Sequence, residues 1–252
     1  MWQHSKTPEQ PMQLVIDIGN TVAKLAAFRG DELVEVAYAS NETLAELPAF
    51  CSKYPFKQAI WCSVINLSAE ATSRIHAVPV PCLHFTHTVQ IPLRNAYDTP
   101  ETLGLDRLAA VVGAQQCMPH RDLLVIDAGT CVTYELLDAS GCYHGGNISP
   151  GLEMRLKAMH QFTSRLPLVE AEGELQEIGK STETALRAGA IWGLQYEIEG
   201  YIRALKHKYP QLLVFLTGGC RFSFDTNLKN IIFADKFLVL KGLNRIVQYN
   251  NE

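Results

Sequence analysis

The chain has 252 residues, of which 47% are hydrophobic, so it can bury the core of one large domain or of two small ones. Its formal net charge of −4 gives no electrostatic argument for a nucleic-acid partner. No apolar stretch reaches the roughly 20 residues that a membrane helix needs, and residues 1–13 lack the apolar core of a signal peptide. We therefore expect a cytoplasmic protein with no membrane partner.

The opening residues, 1–12, are polar and contain two prolines, which predicts a disordered N-terminal extension with Met12 as an alternative start. A meander of three strands follows, and the pattern then alternates between helices and strands. The elements predicted for the first half are strands at 14–17, 22–28 and 32–38, a helix at 42–53, a strand at 58–64, a helix at 67–76, a strand near 80–85 and a helix at 108–114.

The second half repeats the opening meander. Its predicted elements are strands at 123–127, 132–137 and 142–147, helices at 152–161 and 182–208, a strand at 212–216 and a closing helix from Leu243. Pro119 ends the preceding helix, so the halves meet near residues 117–122 without a low-complexity linker. We predict half-domains at 13–117 and 118–252.

The same short sequence follows the first strand of each half: Asp17-Ile18-Gly19-Asn20-Thr21 and Asp127-Ala128-Gly129-Thr130. An Asp at a strand tip can hold a hydrated cation, Gly lets a backbone approach a ligand, and turn amides can bind phosphate oxygens. One such turn is more often only a hairpin. The repetition favours two related half-domains with a ligand cleft between them.

The segment Gly104-Leu105-Asp106-Arg107 opens an apolar helix and has two interpretations. Asp106 could simply favour the helix dipole, with Arg107 as a surface partner. Alternatively, Asp106 accepts the proton of a substrate hydroxyl while Arg107 binds an acidic group of the substrate. The local pattern leaves both open.

Three other patterns favour ordinary structure over a site. The seven cysteines are odd in number and form no CxxC pair, which is typical of reduced thiols. Cys82, His84 and His87 could offer three zinc ligands on one strand, but no matching fourth ligand stands out. The segment 173–181 imitates a phosphate-binding loop only in its last three residues, and no predicted strand precedes it.

Six motifs in this order resemble the type III pantothenate kinase family, within the superfamily of acetate kinase, sugar kinases, Hsp70 and actin. The motifs are the stretches 17–24, 104–107, 127–130, 145–151, 181–182 and 217–219. The resemblance implies an α/β fold of two duplicated actin-like, ribonuclease H-like half-domains. Each would be a mixed sheet with a three-strand meander, and ATP would bind in the cleft between them.

The resemblance also implies a reaction, in which the γ-phosphoryl group of ATP passes to the 4′-hydroxyl of pantothenate in the first step of coenzyme A biosynthesis. Asp106 would be the general base, and Asp127 would bind K⁺ or NH₄⁺. Mg²⁺ would accompany ATP near Asp17. The implied ATP-binding residues are Asp17, Ile18, Gly19, Asn20, Thr21, Val22, Ala23, Lys24 and Thr130. The implied pantothenate-binding residues are Tyr97, Gly104, Leu105, Asp106, Arg107 and Thr182.

In the family, the residue at Thr182 acts from the other protomer of a homodimer. Gly189, Ala190 and Gly193 would give the same helix a face for close approach, which suits a dimer interface or packing within one chain equally. The chain departs from the family pattern at Leu105, where Ala is frequent, and at Cys131, where a small or polar residue is usual. Two alternatives remain: another enzyme of the superfamily, or a regulator that binds nucleotide without turnover.

Overall fold

The structure, a computed structural model, describes residues 11–219 and 231–252. These residues fall into two compact α/β units, the first formed by residues up to 117 together with 237–252 and the second by the residues between them. Residues 1–10 of the predicted disordered extension lie outside the described residues. Its last residue, Met12, instead begins the first strand and is buried.

Eleven strands and six helices make up the described chain. The strands are β1 (Met12–Ile18), β2 (Ala23–Arg29), β3 (Glu32–Ala39), β4 (Phe56–Ser63), β5 (Cys82–His84), β6 (Arg94–Asn95), β7 (Leu123–Ala128), β8 (Cys131–Leu137), β9 (Cys142–Pro150), β10 (Leu213–Gly218) and β11 (Ile232–Ala234). The helices are α1 (Leu47–Lys53), α2 (Ala69–His76), α3 (Leu105–Cys117), α4 (Leu152–Gln161), α5 (Thr182–Lys208) and α6 (Leu238–Tyr249). None of these helices is long and apolar enough to cross a membrane.

The two units repeat one sheet topology. In the first unit the strand order is β3-β2-β1-β4-β5, with β1 antiparallel to β2 and parallel to β4. In the second unit β9-β8-β7-β10-β11 follow in the same order, with β7 antiparallel to β8 and parallel to β10. This repetition confirms the predicted duplication of a mixed sheet with a three-strand meander.

The central strands β1 and β7 carry the repeated Asp residues. All seven residues of β1 are buried, as expected for a continuous apolar run in a strand whose two faces are both covered. Asp17 pairs in register with Cys62 on β4, and Asp127 pairs with Thr217 on β10. Each Asp therefore lies at the carboxyl end of two parallel strands, where ligands bind in open α/β sheets.

The first helix is shorter than predicted, because a turn replaces its first half. The sequence predicts a helix over 42–53, but α1 begins at Leu47, with Pro48 in its first turn. Leu44 has a φ of 54° and is fully buried, and its N–H donates to the carbonyl of Ser40 at 2.8 Å. Burial of the Leu44 side chain holds a backbone conformation that a helix cannot continue.

The closing helix α6 belongs to the first unit, whereas the domain limits drawn from the sequence assign it to the second half. It packs on α3, and two glycines permit the close approach. A β-carbon at Gly242 would collide with the carbonyl oxygen of Ala109, and one at Gly113 would collide with the carbonyl oxygen of Leu238. Pattern along the chain cannot reveal this pairing, since the two helices are far apart in sequence.

Replacing Gly242 with alanine should destabilise the protein by about 1–3 kcal/mol, because the added methyl group would force the backbones of α3 and α6 apart. Urea unfolding gives the free energy of unfolding. Gly200→Ala in α5 is the matched control, since a β-carbon there meets no atom within 4 Å. The control should be stabilising by roughly 0.5–1 kcal/mol. Equal effects of the two substitutions would contradict this account of the helix pair.

Candidate active site

The turn between β1 and β2 is the predicted phosphate-binding loop. The Gly19 N–H donates to the carbonyl of Val22 at 3.2 Å and closes the turn. Asn20 and Thr21 are exposed at its tip, so their amides and side chains can reach a ligand. Ile18 and Ala23 are fully buried in the core. Of the residues implied to bind ATP, these two can therefore contribute only backbone groups.

Asp17 and Lys24 pair directly across β1 and β2 at the base of this turn. The Lys24 Nζ lies 3.4 Å from Asp17 Oδ2, and Asp17 is only 7% exposed. Burial raises the pKa of Asp17, Lys24 opposes this shift, and the negative charge of Asp106 adds to it. A further cation beside this buried carboxylate would stabilise its negative charge, and carboxylate oxygens are ligands that Mg²⁺ prefers.

Asp106 lies in the first turn of α3, and its Oδ1 accepts the N–H of Arg107 at 2.9 Å. A negative charge in this first turn favours the helix dipole, but Arg107 is buried, so the surface partner of the first interpretation is not found. Gly104 leaves room for the carboxylate, since a β-carbon there would lie 2.6 Å from Asp106 Oδ1. Leu105, the first residue of the helix, is half-buried.

The charge of Asp106 also acts on the ends of β1 and β4. Burial raises the pKa of the Cys62 thiol, and the charges of Asp17 and Asp106 raise it further. The charge of Asp106 thus reaches the buried groups at both strand ends. The same carboxylate can stabilise the helix start and face a ligand at this end of the sheet.

Arg107 is the buried cation of this region, with 7% of its surface exposed. Its guanidinium carbon lies 5.7 Å from the centre of the Tyr97 ring, within the range of a cation–π interaction. The Tyr97 N–H donates to Asn95 Oδ1 at 3.0 Å, which helps to fix that segment. The structure thus brings together two of the side chains implied to hold pantothenate.

In the second unit, the repeated turn is held by its neighbours. The Gly129 N–H donates to the carbonyl of Cys131 at 2.9 Å, and the Gly151 N–H donates to the carbonyl of Thr130 at 3.1 Å. A β-carbon at Gly151 would collide with the carbonyl oxygen of Gly129. Asp127 is half-buried and Thr130 is exposed. The motif at 145–151, whose residues up to Pro150 belong to β9, therefore ends directly against this turn.

A polar network in the second unit was not predicted from the sequence. Glu197 on α5 accepts hydrogen bonds from Tyr134 at 2.7 Å, from Ser149 on β9 and from Arg155 on α4. Burial alone would raise the pKa of Glu197, but these hydrogen bonds outweigh it and lower the pKa. The network joins four elements and fixes Ser149, inside the motif at 145–151. Nothing in the local sequence of a long helix distinguishes Glu197 from a solvated residue.

Thr182 is the first residue of α5 and is exposed. The residue before it, Ser181, is the N-cap and forms a reciprocal capping box with Thr184. The glycine–lysine–serine sequence at 179–181 therefore leads into a helix. Residues 173–181 contain no strand, unlike the strand that leads into a phosphate-binding loop. Further along α5, a β-carbon at Gly189 or Gly193 would meet no atom within 4 Å, and Tyr196 is 61% exposed.

The cysteine and histidine groups have structural explanations. His84 stacks on Trp61 with ring centroids 3.7 Å apart, and His87 Nε2 lies 2.8 Å from the carbonyl oxygen of Leu103. Within the described residues, the donor atoms of Asp138, Cys142 and His144 lie within 4.8 Å of one another. Asp138 accepts the N–H groups of Ser140 and Cys142, at 2.9 and 3.1 Å. The hairpin's own hydrogen bonds account for this grouping.

Solved structures share the fold. A conserved protein from Campylobacter jejuni, described as a Baf family transcriptional activator, has a TM-score of 0.58 at 20% identity and covers 94% of this chain and 98% of its own. The Lmo2764 protein from Listeria monocytogenes, described as a candidate N-acetylmannosamine kinase, has a TM-score of 0.58 at 15% identity and covers 95% of this chain and 100% of its own. At such identities the likeness shows the fold alone.

Sequence comparison gives the family. The model of the type III pantothenate kinase family matches residues 13–204. A type III pantothenate kinase from Bacteroides fragilis (strain YCH46) is 61% identical over 240 residues, which are 95% of this chain and 99% of the relative. Another, from Phocaeicola vulgatus, is 58% identical over 241 residues, which are 96% of this chain and 100% of the relative. The chain belongs to the type III pantothenate kinase family.

Proposed function

We propose that this kinase transfers the γ-phosphoryl group of ATP to the 4′-hydroxyl of pantothenate, with Asp106 as the general base. Membership of the family supports the reaction. The observation that supports the role of Asp106 is that its negative charge helps to raise the pKa of the buried Asp17, at the end of the central strand. A base beside the phosphate-binding turn can take the proton of an acceptor hydroxyl as its oxygen attacks phosphorus.

The phosphate loop, residues 17–24, would bind ATP with Mg²⁺. Phosphoryl transfer needs mainly positioning and neutralisation of charge. The backbone amides of the exposed residues Asn20 and Thr21 and the Lys24 ammonium group would supply positive potential at one turn. Asp17 would hold the hydrated Mg²⁺, and the exposed Thr130 would contact ATP from the second repeated turn.

Pantothenate would bind at the start of α3. Its carboxylate matches the planar donor set of Arg107, which Tyr97 supports through its ring. The absence of a side chain at Gly104 leaves room for the Asp106 carboxylate that would take the proton of the acceptor hydroxyl, and Leu105 would add an apolar contact. These residues share one unit of the fold.

Thr182 would complete the pantothenate site of a second protomer in a homodimer. On α5, a β-carbon at Gly189 or Gly193 would meet no atom within 4 Å, and Tyr196 is exposed. These features support an interface on this helix, since small residues allow helices to approach closely. Light scattering should give twice the mass of one 28.0 kDa chain.

The experiment that tests the function is an assay of ADP release with Mg-ATP and pantothenate, with the product identified by mass. We expect ADP release that depends on pantothenate, and one phosphoryl group added to pantothenate. A folded protein that binds ATP but leaves pantothenate unchanged would contradict the proposal, and would favour another acceptor or a regulator.

Asp127 would hold K⁺ or NH₄⁺, so turnover should be at least roughly tenfold higher in KCl than in NaCl. Asp127→Asn should lower turnover in KCl and remove most of this preference, because the site would lose its negative charge. Asp122→Asn, just before β7, is the matched control and should keep the preference. An Asp127→Asn enzyme that still requires K⁺ would place the cation elsewhere.

A further inference from the structure

Asn41 holds the phosphate loop from outside. It lies just after β3, whose last residue pairs with Ala23 at the far side of the loop. Its side-chain Nδ2 donates to the carbonyl of Gly19 at 3.1 Å and to the carbonyl of Asn20 at 2.8 Å. One amide group thus engages two consecutive carbonyls of the turn. No motif in the sequence indicates this residue.

These two contacts determine which way the amides of the turn point. In a trans peptide the C=O and N–H groups point in opposite directions. The carbonyl of Gly19 shares a peptide plane with the N–H of Asn20, and the carbonyl of Asn20 shares one with the N–H of Thr21. Carbonyls turned toward Asn41 therefore aim the N–H groups of Asn20 and Thr21 away from it. Successive amides aimed one way form an anion-binding surface, whereas carbonyls there would repel phosphate.

We propose that Asn41 is a positioning residue that sets the phosphate loop in its nucleotide-binding orientation. The proposal rests on the proposed function, since it takes this loop as the site of the ATP phosphates. Only the –NH₂ end of the Asn41 amide can satisfy two carbonyl acceptors, because its oxygen cannot donate. An aspartate of the same shape would turn an oxygen toward both carbonyls and add a negative charge beside the phosphates.

The segment that carries Asn41 is itself braced. The Ser68 hydroxyl, at the start of α2, donates to the carbonyl of Glu42, and Arg74 of α2 donates to the carbonyl of Thr43. The buried Leu44 anchors the next position. Because the support is fixed at several points, Asn41 can impose a conformation on the loop instead of following it.

The test compares Asn41→Ala and Asn41→Asp with the wild type. Mg-ATP binding is measured by isothermal titration calorimetry without pantothenate. The KM for ATP and the KM for pantothenate are measured by steady-state assay. We expect the Kd and KM for ATP to rise on the order of tenfold in Asn41→Ala, the effect of losing two hydrogen bonds, and further in Asn41→Asp. The KM for pantothenate should change less than twofold, because its proposed contacts lie on α3.

Glu42→Ala is the matched control, because its exposed side chain occupies the same turn while its carbonyl contact is retained. Thermal unfolding of each variant shows whether the fold is kept. The proposal would be overturned if Asn41→Ala and Glu42→Ala had the same Kd for Mg-ATP. It would also be overturned if Asn41→Ala raised the KM for ATP and the KM for pantothenate equally. If the wild type binds Mg-ATP but does not phosphorylate pantothenate, the proposed acceptor fails, and the calorimetry still decides the role of Asn41.

Discussion

Asp106→Asn should still bind Mg-ATP with near wild-type affinity while its turnover falls by roughly two or more powers of ten, the usual scale for losing a general base. Asparagine has the shape of aspartate, and its side-chain oxygen can still accept the N–H of Arg107. The start of α3 is therefore preserved, and the capacity to take a proton is what the substitution removes. Calorimetry with Mg-ATP and the ADP-release assay measure the two quantities.

The contrast between binding and turnover separates the two interpretations of Asp106. If the residue serves only the helix dipole, Asp106→Asn costs about 0.3–1 kcal/mol of stability and leaves turnover nearly unchanged. Glu101→Gln, an exposed acid in the turn before α3, is the control for a lost negative charge near the helix start. Normal turnover in Asp106→Asn would remove Asp106 from its proposed role.

Loss of the charge on Asp106 has a second consequence, at Asp17. The charge of Asp106 contributes to the raised pKa of Asp17, so its neutralisation should make Asp17 easier to ionise. Asp106→Asn is therefore not expected to weaken the proposed binding of Mg²⁺ at Asp17. A variant that had lost Mg-ATP affinity along with turnover would indicate a general disturbance of the site.

The sequence predicted the fold where local pattern and tertiary environment agree. A continuous apolar run such as 14–16 or 123–126 fits a strand covered on both faces, and each run ends at an Asp that begins a turn signal. The repeated meander then follows from short turns, which leave adjacent strands antiparallel. Asp17 and Asp127 could therefore be assigned to equivalent strand ends from the amino-acid sequence alone.

What the sequence could not predict depends on contacts between distant segments. Asn41 is one polar residue in a polar turn, and its role needs the register between β2 and β3. Glu197 matters because three donors from three other elements meet it. The placement of α6 requires that Gly242 meet Ala109 across a helix pair. Hydrophobic periodicity shows that a face is buried, but not which element covers it.

The Leu44 turn illustrates a conflict between propensity and packing. The stretch 42–53 has the composition of a helix, and its second half does form α1. The first half instead buries Leu44 at positive φ, which local propensity disfavours for a branched side chain. Burial in the core can offset such strain. The result is the fixed turn that carries Asn41.

Arg107→Gln should raise the KM for pantothenate by roughly two powers of ten, the scale of removing one partner of a buried charge pair. Arg107 is buried and its guanidinium lies over Tyr97, so its proposed pantothenate contact would be made with little water present. The KM for ATP should stay within about twofold, since the phosphate loop is a separate turn. The KM for pantothenate of Arg107→Lys should lie between those of the wild type and Arg107→Gln, because lysine keeps the charge but lacks the planar pair of donors.

A neutral analogue of pantothenate, with its carboxylate replaced by a hydroxymethyl group, makes this prediction specific. The wild type should discriminate strongly against the analogue in kcat/KM, whereas Arg107→Gln should discriminate little, because the charge that the carboxylate would meet is gone. Arg94→Lys, at an exposed position in β6, is the control and should keep the wild-type discrimination. If Arg107→Gln binds pantothenate weakly yet still rejects the analogue as the wild type does, the carboxylate is recognised by another group and Arg107 acts through the structure of the site.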